Sequence, residues 1–108
     1  MKRIRLTGKY AIGKHTHTIV DNEDYEYLNK YKWKAKPNGF NNRVYAVRNV
    51  KRNGRNITLR MHRVIMNVGQ EIKMDVDHIN HNSLDNRKNN LRLVQRSVNI
   101  KNMEVVII

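Results

Sequence analysis

The chain has 108 residues, enough for one compact domain of modest core, and no cysteine, which excludes a disulfide framework and the usual cysteine-based zinc sites. Its 22 lysines and arginines face 9 acids, a formal net charge of +13, so the expected partner is a polyanion. A membrane surface would attract the same charge, but no basic amphipathic helix or long apolar run is there to follow it into lipid.

From the N-terminus, residues 4–6 and a stretch around 9–20 read as short strands broken at Gly8 and Gly13. The basic opening lacks the apolar run of a signal peptide, so a cytoplasmic location is expected. His15 and His17 would share a strand face, but two histidines alone favour an ordinary structural role over a metal site. Asp21-Asn22-Glu23-Asp24 reads as a helix start: Asp21 stands where a cap is needed, and acids crowd the positive first turn. Tyr25, Leu28 and Tyr31 follow near helical spacing, with the helix expected to end at residue 30 or 31. Trp33, flanked by Lys32 and Lys34, is expected to anchor the core, with base stacking as its rival use.

Pro37-Asn38-Gly39 and Asn53-Gly54 are turn signals. Residues 43–48 alternate, with Val44, Ala46 and Arg48 on one face and Arg43, Tyr45 and Val47 on the other, and residues 55–59 return after the Asn53-Gly54 reversal. The product is a basic antiparallel hairpin, of a shape that either enters a major groove or covers the core and meets only phosphates. No acid occurs between Glu26 and Glu71. Within that stretch Arg43, Arg48, Lys51, Arg52, Arg55 and Arg63 are the candidate DNA contacts, since phosphate neutralisation supplies affinity without sequence information. Residues 59–68 read as a short helix burying Met61, Val64, Ile65 and Val68 and closed by Gly69. The apolar run 105–108 reads as a last strand or a ragged end, too short to span a membrane.

The chemistry concentrates in residues 74–99. Asp77 and His78 stand together, and Asn80, Asn82, Asn86, Asn89 and Asn90 punctuate the stretch beyond them. Asn90-Leu91-Arg92-Leu93-Val94 opens 12 residues after His78, and Asn99 comes 9 residues later. Each piece alone is commonplace. An Asp-His pair is usually a surface hydrogen bond, an asparagine-rich stretch a polar turn, and an asparagine at a helix start a cap. Together they resemble the HNH nuclease motif, in the phage and intron homing-endonuclease version whose last position is Asn. The resemblance covers roughly residues 61–102, including His62-Arg63-Val64-Ile65-Met66, and is looser ahead of it.

That resemblance implies an α+β chain: a strand-rich basic DNA-contacting region at 1–60, followed at 61–108 by a ββα-metal motif, the two forming one compact unit. Asp77 and Asn99 would hold one divalent ion, His78 would be the general base, and Asn90 would brace the loop so that the imidazole points correctly. An oxygen-only ligand pair suits Mg²⁺ or Mn²⁺, which keep several waters and take other ligands from substrate phosphate. The implied activity is hydrolysis of double-stranded DNA to a 5′-phosphate and a 3′-hydroxyl, as in homing or nicking enzymes. Successive strand residues face opposite ways, so Asp77 and His78 line one site only if the strand ends or bulges there, or if they bracket the scissile phosphate. Asp75, on the same strand face as Asp77, is a rival second carboxylate. His62 is expected to support the fold or touch a phosphate, and His81 to face solvent. With residues 100–108 alone after Asn99, no separate C-terminal DNA-binding module is expected. Two rivals remain. One is a non-enzymatic basic nucleic-acid-binding module, whose activity would be indifferent to His78; the other is a structural metal protein using His62, His78 and His81, which lacks a regular ligand spacing.

Overall fold

The computed structural model describes residues 1–39, 43–69 and 72–95. Its seven strands are β1 (Lys2–Thr7), β2 (His17–Val20), β3 (Trp33–Pro37), β4 (Val44–Arg52), β5 (Arg55–Arg60), β6 (Met74–His78) and β7 (Leu91–Gln95). Two short helices, α1 (Asn22–Leu28) and α2 (Met61–Ile65), complete the regular elements apart from two single 3-10 turns. The first five strands form one mixed sheet in the order β2-β1-β3-β4-β5, parallel only at β1–β3, and β6 and β7 form a separate antiparallel hairpin.

The expected α+β class is therefore corrected: the described chain is mostly β. Leu59 and Arg60, expected to open a helix, continue the β4–β5 ladder opposite Arg48 and Val47, so their backbone groups are spent on a partner strand. The helix starts at Met61 and ends at Ile65, and the chain turns at Asn67, whose φ of 57° is the left-handed conformation that asparagine tolerates, before Gly69 is reached. The ββα-metal motif is not shown either. Its hairpin is present, but the helix expected to carry Asn99, and the run 105–108, lie outside the described residues.

Alternation explains the sheet. In β1 Ile4 and Leu6 point inward and Arg3 and Arg5 outward, and in β3 Trp33 and Ala35 are buried while Lys34 and Lys36 take the other face. The Asn53-Gly54 corner has positive φ at both residues (51° and 74°), the geometry that matches strand twist in a two-residue hairpin. Trp33 is 1% exposed and donates its indole N–H to the Leu28 carbonyl at 2.8 Å, so the lone tryptophan anchors the core and locks the end of α1. The α1 helix ends earlier than its spacing suggested. Asp21 sits at its N-cap but makes no capping bond; its Oδ2 accepts instead from the backbone N–H of Lys88 at 2.9 Å.

One apolar cluster joins the two halves: Ile4, Leu6, Leu28 and Trp33 from the sheet side share it with Met61, Val76, Leu84 and Leu91. Burial of those side chains against one another fixes the β6–β7 hairpin on the sheet. No helix of the described residues is long and apolar enough to cross a membrane.

Candidate active site at the β6–β7 hairpin

Asp77 and His78 are the last two residues of β6, paired with Arg92 and Leu91 of β7. Strand alternation sends them to opposite faces. His78 shares the core-facing side with Val76, Leu91 and Leu93; Asp77 shares the other with Asp75 and Arg92. The strand ends at His78, so both residues stand where the hairpin runs into the loop 79–90.

The loop 79–90 is not the polar surface turn that its composition suggests. Ser83, Leu84, Asp85, Asn86 and Asn90 are all buried. Backbone bonds from Ile19 N–H to Leu84 O and from Asn86 N–H to Ile19 O, both 2.8 Å, dock it beside β2 in a short parallel bridge, which covers an otherwise open sheet edge. Ser83 donates its hydroxyl to the Val44 carbonyl. Asn90 closes the loop on itself: its Oδ1 accepts from the Asn80 N–H (3.0 Å), while its Nδ2 donates to Asn80 Oδ1 and to the Asp85 carbonyl (both 2.9 Å). Asp85 takes two bonds from the Arg87 guanidinium (2.8 and 2.7 Å) and one from Asn80 Nδ2, and the Arg87 bond holds its carboxyl below the usual range.

His78 is 2% exposed. Its Nε2 lies 2.8 Å from Asn86 Oδ1, and its ring is flanked by those of His62, 5.0 Å between centroids, and Tyr45, 6.0 Å away. Burial lowers the pKa of His78 from its ordinary 6.5, more than the Asn86 bond and the nearby Asp77 raise it, so the ring is neutral at pH 7. His62 is pushed down to about 3, first by burial and then by His78. Neither histidine serves as a surface charge, and His62, expected to brace the fold or touch a phosphate, is buried against His78 and Tyr45. His81 lies on the exposed loop with its Nδ1 3.4 Å from Arg43 Nη2.

On the opposite face, Asp77 Oδ2 accepts from Arg92 Nη2 (3.0 Å) and Nε (3.2 Å), and among the described residues nothing bonds Oδ1. The described residues thus offer a hard cation one partly exposed carboxylate oxygen beside Asp75, which suffices for an ion that completes its shell with water and phosphate. Asn99, the second expected ligand, lies outside the described residues. The one three-acid group found among them, Asp21, Glu23 and Asp24, is far from this chemistry in role: the Lys88 ammonium lies 3.1 Å from Glu23 Oε1 and 3.2 Å from Asp24 Oδ1, tying α1 to the loop.

The candidate DNA contacts divide. Lys51, Arg52 and Arg55 are exposed at the tip of the β4–β5 hairpin, and Arg43 reaches the loop. Arg63 is committed to the fold: it donates to the carbonyls of Met74 (2.7 Å), Gly69 (2.8 Å) and Ile72 (3.2 Å), which pins the connection into β6. Arg48 faces the core side, its guanidinium 3.8 Å from the Tyr31 ring centroid and 5.5 Å from that of Trp33. In the free chain these two guanidinium groups are therefore engaged by the protein itself. In their place the strand register gathers a set that sequence reasoning did not group. Lys34, Lys36, Tyr45, Val47 and Arg60 share one sheet face, continued across β1 by Arg3 and Arg5, and Lys36, Tyr45 and Arg60 line a cleft on it. Tyr45 belongs to that cleft and to the histidine cluster, so the basic face leads to His78. The signal lay in the alternate spacing of Lys32, Lys34 and Lys36 and of Arg3 and Arg5; the strand order needed to join them did not.

Comparison with protein-family models, curated proteins and solved structures yields no match.

Proposed function

We propose that the protein is a metal-dependent endonuclease of the HNH type that hydrolyses phosphodiester bonds of double-stranded DNA, acting in the cytoplasm, with His78 as general base. The observation that carries this reading is the arrangement at the end of β6: an acid and an imidazole on consecutive residues, turned to opposite sides, at the point where a basic sheet face arrives. A phosphate seated there has Asp77 on one side and His78 on the other. The neutral imidazole takes a proton from water as that water attacks phosphorus; the bond to the 3′ oxygen breaks, and the products carry a 5′-phosphate and a 3′-hydroxyl. A Mg²⁺ or Mn²⁺ held by Asp77, with Asn99 as the further ligand, would polarise the phosphate and stabilise the departing oxygen. Arg92 holds the Asp77 carboxylate in place through Oδ2. Asn90 holds the loop that carries Asn86 against the imidazole, and Lys34, Lys36 and Arg60, with Lys51, Arg52 and Arg55 at the hairpin tip, neutralise the phosphates on either side.

The test is incubation of the purified chain with supercoiled plasmid in Mg²⁺, Mn²⁺ or a chelator. Nicking or cutting only with metal, leaving ligatable 5′-phosphate ends, is the expected result. Tight DNA binding with no cleavage in either metal would instead support the non-enzymatic binding module.

A further inference from the structure

We propose that Asn86, anchored by Thr18, is the positioning residue that holds His78 as the Nε2–H tautomer and so leaves Nδ1 as its proton-accepting nitrogen. The bond directions are linked one to another. Leu84 O can only accept, so the Thr18 hydroxyl, 2.8 Å away, donates to it. Thr18 Oγ1 has then spent its proton and accepts from Asn86 Nδ2 at 2.9 Å. That fixes the amide with its oxygen toward the imidazole, 2.8 Å from Nε2, where a neutral ring can satisfy it only by donating. Thr18 is 0% and Asn86 1% exposed, so water does not substitute for a missing partner between them and the Nε2 edge of His78, and each inverted bond there would leave a buried group unmade. The backbone supports the same order: Ile19, next to Thr18, bonds both Leu84 and Asn86, so β2 holds the amide in place.

The ring packs between His62 and Tyr45, which restricts rotation about its own axis but does not distinguish one nitrogen from the other. Only Asn86 does that. Nδ1 has no hydrogen-bond partner among the described residues and is not one of the fully buried unpartnered atoms, so it is the nitrogen left for water. The tautomer assignment stands on this geometry alone; its catalytic meaning rests on the nuclease reading above.

Long-range proton–nitrogen correlation spectra of the full chain with ¹⁵N-labelled histidine, at neutral pH without metal or DNA, test the assignment directly. His78 is identified by the signals lost in His78→Gln. The expected wild-type spectrum is that of an Nε2–H imidazole. Asn86→Asp keeps an acceptor facing Nε2 and keeps that nitrogen protonated, whereas Asn86→Leu releases the ring to a mixture of tautomers. Thr18→Val, which removes the anchor and leaves the amide, gives a smaller shift in the same direction. A wild-type Nδ1–H ring overturns the proposal without any variant, as does an unchanged tautomer in folded Asn86→Leu. If the spectra behave as stated, plasmid cleavage by Asn86→Leu should fall about 10- to 100-fold with DNA affinity unchanged. An Nε2–H ring in a wild-type protein that cuts nothing would leave the positioning intact and refute the nuclease reading.

Discussion

In the five-stranded sheet, β1 and β3 bury Ile4, Leu6, Trp33 and Ala35 at alternate positions and turn arginine and lysine outward, while the loop 79–90 buries Ser83, Asp85, Asn86 and Asn90 and satisfies them one by one. The two regions are held by different physics. Apolar burial is non-directional and tolerates a swap of similar volume. A buried polar network stabilises only while every partner is present, and losing one orphans another. The sheet therefore carries stability and charge, and the loop carries precise placement of the side chains it encloses.

The sharpest way to break that division is to exchange the two costs. Trp33→Ala removes the anchor of the sheet core and should cost about 3 to 5 kcal/mol in urea unfolding, with cleavage per folded molecule little changed. Asp77→Ala should do the reverse. Its pair with Arg92 is partly exposed on both sides, so stability should move by no more than about 1 kcal/mol, while plasmid cleavage falls about 10²- to 10³-fold. Asn90→Ala leaves the Asn80 N–H and the Asp85 carbonyl without their partner and should destabilise by about 1 to 3 kcal/mol. Its effect on cleavage, measured at a temperature where the variant is folded, should exceed that of any sheet substitution of equal thermodynamic cost.

Acid offers a third lever. His62 has its pKa lowered from 6.5 to about 3, so below 6.5 the unfolded chain binds a proton that the folded one refuses. The stability is fully present above about 6.5 and is lost as pH falls toward 3. Between about pH 7 and 5 His62 should account for roughly 2 kcal/mol of that loss, which His62→Phe should remove from urea unfolding curves taken at the two pH values. The smallest effects belong to the basic face. Lys36→Ala and Arg60→Ala should each weaken DNA binding a few-fold and lower the salt slope by roughly one, with cleavage at saturating DNA preserved.

The same contrast decides what the residues disclosed in advance. Alternation located β1 and the β4–β5 hairpin, and Asn53-Gly54 gave its corner, because a half-buried strand writes its environment into every second residue, whereas β3 was read only as the surroundings of a core tryptophan. The division of β4 into a Val44, Ala46 and Arg48 face and a Tyr45 and Val47 face was legible for that reason. The burial of the loop was not, since asparagine and serine look alike whether they face water or one another. Arg48 and Arg63 illustrate a second blind spot: positive charge in a basic stretch says nothing about whether a ring or a row of carbonyls has claimed it. Asn86 and Thr18 stand 68 residues apart, and no local pattern links them. The mostly β class was missed where residues 59–60 continue a ladder whose partner strand only the fold supplies.

The central claim is that the imidazole at the end of β6 performs chemistry on DNA. Single-turnover cleavage of a DNA duplex in Mn²⁺ by wild type and by His78→Ala, alongside binding of the same duplex, tests it most directly. The expected result is that His78→Ala binds within about twofold of wild type and cuts about 10² to 10⁴ times more slowly. Equal cleavage rates in the two proteins would contradict it.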